Sequence, residues 1–135
     1  MSSTMLSTCA GPMLAALALG SCGGTVPGTP VCTALFASAT VSLVDSTSAP
    51  VADATVTATL VRTGEVLAPT SALPLVAGTY DLFDDGSKAK LQVSGDSIRV
   101  LVQRQTRSKA VMYFYDVPGG CHINKVSGPS IIVAP

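Results

Sequence analysis

Ala54-Thr55-Val56-Thr57-Ala58-Thr59-Leu60 decides the fold class of this chain. Its even positions are apolar and its odd positions are all Thr. Successive side chains of a strand point to opposite faces, so this spacing gives one packed face and one wetted face. A helix would scatter the same residues around its whole circumference. Val and Thr are also β-branched and pack well on a pleated surface. The stretch is therefore predicted to be a half-buried β-strand, and its neighbours repeat the pattern.

Upstream, Thr40 to Asp45 reads Thr-Val-Ser-Leu-Val-Asp, with Val41 and Leu43 on one face. Ser46 to Pro50 turns the chain. Downstream, Thr63-Gly64-Glu65 is a turn, and Val66 to Val76 is loop-rich, broken by Pro69 and Pro74. Gly78 to Leu82 forms a short strand with Tyr80 and Leu82 inward. Asp84-Asp85-Gly86-Ser87 carries Asp-Gly, a strong hairpin signal. Lys88 to Val93 alternates again, Ser94-Gly95-Asp96 turns, and Ile98, Val100 and Val102 make the next inward face. Arg104 to Lys109 reads as a basic polar loop. Ala110 to Val117 is a strand holding Tyr113, Phe114 and Tyr115. Pro118-Gly119-Gly120 turns into Cys121-His122, and Ile131 to Val133 is the last strand. Seven or eight short strands divided by turn signals predict an all-β, antiparallel β-sandwich. Periodicity leaves a small barrel open as the alternative.

Composition agrees with this and narrows function. The chain has 135 residues, eight basic against eight acidic, with 12% charged and 4% aromatic residues and no Trp. Balanced charge argues against a nucleic-acid partner, which usually requires a basic excess. Scarcity of Trp and Tyr fits poorly with an aromatic hot-spot interface.

The N-terminal stretch carries the address. Met13 to Leu19 is an uncharged apolar run, too short to span a bilayer, which takes about 20 apolar residues. Met1 to Met13 has neither Lys nor Arg. Leu19-Gly20-Ser21-Cys22 follows, then the linker Gly23-Gly24-Thr25-Val26-Pro27-Gly28-Thr29-Pro30. The four residues ending at Cys22 resemble the bacterial lipobox. That resemblance implies a signal peptide over residues 1–21, cleavage before Cys22, and diacylglycerol on its thiol. Residues 22–31 would be the lipidated Cys and a flexible tether, and 32–135 the sandwich domain. Each buried CH₂ contributes about 0.8 kcal/mol, so two or more acyl chains anchor stably. Gly23 and Gly24 stand where enteric inner-membrane lipoproteins carry a retention Asp, so the outer membrane is favoured. The alternative is a plain secretory signal cut elsewhere.

Four cysteines divide accordingly. Cys9 leaves with the leader and Cys22 takes the lipid. Cys32 and Cys121 remain, near opposite ends of the domain. Export to an oxidising compartment makes a Cys32–Cys121 disulfide the expectation. A metal-binding thiol pair is the weaker alternative, because no C-x-x-C spacing is present.

The order of features resembles the carboxypeptidase regulatory-like domain, a transthyretin-like β-sandwich. The residues that carry the likeness are Val41 to Asp45, then Pro50-Val51-Ala52-Asp53-Ala54-Thr55-Val56, the early Cys32, and Cys121-His122 before a final strand. It spans most of residues 32–133 and implies a non-catalytic module.

His122, the single histidine, is a possible base or metal ligand, but no nucleophile or second ligand is legible beside it. A strand-end position next to a disulfide is expected instead. Asp81, Asp84 and Asp85 lack the spacing of a calcium loop and are expected to build a hairpin turn. Arg99, Arg104, Arg107 and Lys109 form a basic run able to meet anionic headgroups or sugar phosphates, with surface solvation as the ordinary role. Of Tyr113 to Tyr115, alternation sends one member outward, and an exposed Tyr there is a possible glycan contact. The expected whole is a non-catalytic, lipid-anchored module of the bacterial cell envelope, with no cofactor and with an envelope protein or glycan as partner. The alternative is a soluble secreted β-sandwich binding a glycan, peptide or protein.

Overall fold

The structure is a computed structural model that describes residues 31–70 and 76–135. The expected signal peptide, Cys9, the expected lipidation residue Cys22 and the expected linker lie outside the described residues, as does part of the Pro69–Pro74 loop.

Eight strands form two sheets. In chain order they are β1 (Ser38–Val44), β2 (Thr55–Leu60), β3 (Val66–Leu67), β4 (Thr79–Asp84), β5 (Asp96–Arg104), β6 (Arg107–Asp116), β7 (Asn124–Ser127) and β8 (Ile131–Val133). One sheet has the order β4-β1-β8 and the other β3-β2-β5-β6-β7. The predicted all-β sandwich is therefore the observed architecture. Named strand pairs are antiparallel except β1 with β8, which run parallel through Ser42, Leu43 and Val44 against Ile131, Ile132 and Val133.

The alternating Thr stretch, β2, sits against β5. Val56, Ala58 and Leu60 oppose Val102, Val100 and Ile98. Their shared face closes on Val41 and Leu43 of β1, on Phe83 of β4, and on Tyr113 and Tyr115 of β6, all buried. The Phe83 and Tyr115 rings meet edge to face at 4.9 Å across the two sheets, a favourable arrangement of aromatic quadrupoles.

The longest departure from the sequence reading lies between β4 and β5. Asp84 to Ser87 was expected to close a hairpin and Lys88 to Val93 to form a strand. Instead, Asp85–Lys90 is a 3₁₀ helix, and no strand begins until Asp96. The reason is topological. β4 and β5 belong to different sheets, so the link must cross the end of the sandwich, which a tight hairpin cannot do. Locally, the Asp84 carboxylate accepts from the Gly86 amide at 2.9 Å and caps the helix. Of the alternating residues only Leu91 is buried, while Val93 is exposed.

The actual two-residue hairpin joins β5 to β6. Arg104 pairs with Arg107, and Gln105 adopts a left-handed φ of 53°. The expected basic loop thus shrinks to Gln105 and Thr106, and Arg107 to Lys109 belong to β6. β3 and β7 are strands that the sequence reading did not contain. β3 has two residues inside the loop-rich stretch, and all four residues of β7 are exposed.

Candidate functional site

The best-organised group of polar side chains lies where the N-terminal arm, residues 31–37, meets the crossover and the turn before β7. Cys32 and Cys121 form a disulfide with Cα atoms 5.1 Å apart, as expected from the sequence. Each cysteine is followed by a hydrogen-bonding residue, so the bridge carries Thr33 and His122 to the same place. Thr33 Oγ1 lies 3.0 Å from His122 Nε2. The other ring nitrogen, Nδ1, lies 2.6 Å from Asp85 Oδ2.

Asp85 is the hub. Its side chain is 6% exposed. Oδ2 also accepts from the Ala37 amide at 2.9 Å, and Oδ1 accepts from the Ile123 amide at 2.9 Å. Burial pulls its carboxyl upward, but the bonds from Ala37, His122 and Ile123 outweigh that and hold it below its ordinary value of 3.8. Asp85 is thus ionised and accepts only, which places the proton of a neutral His122 on Nδ1. Nε2 then accepts from the Thr33 hydroxyl. When the ring is protonated, Nε2–H donates to Thr33 Oγ1 instead, so the chain of bonds survives in both charge states. Lys88 Nζ donates to the Cys121 carbonyl at 3.0 Å and ties the crossover to the same corner.

The order hydroxyl, imidazole, carboxylate is that of an activated nucleophile. A reacting group would also need a hollow beside the hydroxyl. The hollows at Ser38–Lys125, at Arg104–Pro135 and at Ala52–Tyr80 are lined by other residues. Thr33 stands exposed on the arm. The group acts as a clasp: the disulfide, the Thr33–His122 bond and the Ala37 amide fasten the arm to the sandwich, and the Ile123 amide ties the turn before β7 to the same carboxylate.

The remaining candidates separate. Asp84 accepts from the Thr70 amide at 2.6 Å, from the Thr70 hydroxyl and from Gly86. Asp81 lies on β4 opposite Thr40. The three aspartates do not converge, and among the described residues no group of three His, Cys, Asp or Glu side chains is placed to hold a metal. They form no hairpin turn either, because Asp84 and Asp85 are buried at the crossover.

The basic run also disperses. Arg104 pairs with Asp53 at 2.9 Å, and Lys109 donates to the Val133 carbonyl at 3.0 Å. Arg99 lies mid-strand opposite Met112. Both tyrosines of β6 point inward, so the expected exposed Tyr is absent there and half-buried Phe114 faces out. Burial pushes the Tyr113 and Tyr115 hydroxyls up to about 12.

The sequence reading missed Thr33 and Asp85 as partners of His122. For Thr33 a signal existed: two cysteines expected to bridge, each followed by a side chain able to hydrogen-bond. For Asp85 none did, because a crossover of unknown path places it. No family model, curated protein or solved structure matches the chain.

Proposed function

We propose that this chain is a non-catalytic, lipid-anchored module of the bacterial cell envelope, a transthyretin-like β-sandwich held to a membrane through Cys22 with a structural or binding role. The observation that carries the reading is the Cys32–Cys121 bridge at the base of the arm. Disulfides persist in oxidising compartments outside the cytoplasm. A leader of the lipobox kind delivers a chain to such a compartment. The bridge begins ten residues beyond Cys22, immediately after a Gly/Pro tether whose extended reach is about 25 Å. A tether that short needs a firm fixing point on the domain, and the clasp of Thr33, His122 and Asp85 provides one. The absence of a retention Asp after Cys22 favours the outer membrane.

Labelled palmitate fed to a bacterial host expressing the whole chain tests the anchor. Label is expected on the wild type and none on Cys22→Ala, with the mature N-terminus at Cys22 by mass. Label that persists in the variant, or a mature chain starting elsewhere, rejects the anchor.

A further inference from the structure

The two sheets are unequal, and the inequality leaves a seam. β8 covers β1 only from Ser42 to Val44. On the other flank β1 is paired with β4 down to Ser38. The Ser42 amide donates to the Ser130 carbonyl, on the β8 side. Alternate residues of a strand aim their N–H and C=O to the same side. Ser38 and Thr40 therefore aim theirs past the end of β8, where no strand among the described residues pairs with them.

Facing this open stretch is β7, the rim of the larger sheet. Between them is a hollow of about 150 Å³ lined by Ser38, Ala39, Thr40, Tyr115, Ile123 and Lys125. Ala39, Tyr115 and Ile123 are buried apolar walls. Lys125 opposes Tyr115 in the β6–β7 pairing and so shares its inward face. Its ammonium meets the Ser130 hydroxyl at 2.8 Å, and it forms no ion pair among the described residues. The neighbouring carboxylate, Asp116, is taken by the Asn124 amide at 2.9 Å.

We infer that this seam binds an extended segment of a partner protein, which adds to β1 along the line that β8 leaves unfilled and places an acidic side chain against Lys125. Backbone bonds to Ser38 and Thr40 supply register. One small side chain enters the hollow, whose open side is set by Ser38, Thr40 and Lys125, and the charge sets the choice of segment. The inference deepens the binding role proposed above and rests on it. It does not depend on the lipid anchor.

The test uses the full chain carrying Cys22→Ala and fluorescence anisotropy of labelled peptides of about seven residues, Val and Thr alternating around a central Glu. The Glu peptide is expected to bind saturably, and its Lys counterpart at least about tenfold more weakly. N-methylation of alternate amides abolishes binding. Lys125→Glu reverses the preference between the two peptides at small cost in melting temperature, since Lys125 is exposed and gives up only its bond to Ser130. Thr40→Pro removes one open donor and weakens both. Equal binding of the Glu and Lys peptides, an unchanged preference in Lys125→Glu, or no binding at all overturns the inference. So does a chain that dimerises through this seam, because a second copy is then the occupant. Absence of palmitate label from the wild-type chain, with peptide binding intact, would reject the anchor alone.

Discussion

Asp84, Asp85 and Asp96 are buried carboxylates, and each is satisfied by at least one backbone amide plus a side-chain partner: Thr70, His122 and Arg62 respectively. Arg62 grips Asp96 through Nε at 2.9 Å and Nη2 at 3.1 Å, and the Gln92 amide adds a third bond at 2.8 Å. Arg62 holds the Asp96 carboxyl below its ordinary value, as the Ala37, His122 and Ile123 donors do for Asp85. A carboxyl that is more acidic folded than unfolded contributes stability above its unfolded pKa and loses it as pH falls through the folded one. The melting temperature is thus expected to hold at neutral pH and to fall below about pH 4. Asp85→Asn and Asp96→Asn should each flatten that fall, a result read directly from thermal melts across pH. Asp85→Asn is also expected to cost about 1–3 kcal/mol at neutral pH, since one amide oxygen cannot replace two carboxylate oxygens.

Two tyrosines give opposite expectations. The Tyr80 hydroxyl accepts from the Ala54 amide and donates to the Val51 carbonyl, both at 3.1 Å, so Tyr80→Phe should cost about 1–2 kcal/mol. The Tyr113 hydroxyl is buried with no partner among the described residues, so Tyr113→Phe should leave urea-unfolding stability unchanged or raise it by up to about 1 kcal/mol. Neither difference is readable from the sequence, where each is simply a Tyr on an alternating strand.

Among the elements, β1, β2, β5 and the second half of β6 were legible because each buries one face and exposes the other, which makes their period plain; the first three residues of β6, with neither face buried, read as loop. The crossover was not. Lys-Ala-Lys-Leu-Gln-Val has strand spacing, but the Asp84 cap and the need to change sheets prevail over it. β7 was not legible either, since an exposed rim strand has no apolar face to announce it. The hairpin between β5 and β6 offers a clean test. Gln105 holds a left-handed φ that suits Gly far better, and Gln105→Gly should stabilise by about 0.5–1 kcal/mol. A lower melting temperature in that variant would contradict the turn geometry. Gly128 is the opposite case. Its φ is 118°, and a Cβ there would stand 2.2 Å from Tyr113 Cδ1. Gly128→Ala should therefore displace the Tyr113 ring and lower the melting temperature by several degrees, about 2 kcal/mol of destabilisation.

For the whole molecule, alternation tells which residues face inward but not which sheet a strand joins. The sandwich was therefore foreseeable, while the division into three and five strands was not. The disulfide was foreseeable from cysteine number and an expected export, and the imidazole clasp beside it was not. Cys32 and Cys121 are 89 residues apart, and chain-entropy reasoning assigns such a bridge about 4.5 kcal/mol. Reduction should lower stability by roughly that order and speed amide exchange first at Ala37 and Ile123, whose donors the clasp holds. The same bridge has a mechanical meaning. β1 through β6 lie inside its covalent loop, and only β7 and β8 lie beyond it. Tension between an N-terminal attachment and a grip near the C-terminus would pass from sulfur to sulfur and spare the six enclosed strands. Pulled in an optical trap, the oxidised chain should yield only the short extension of its last segment, and the full contour should appear once reductant is added.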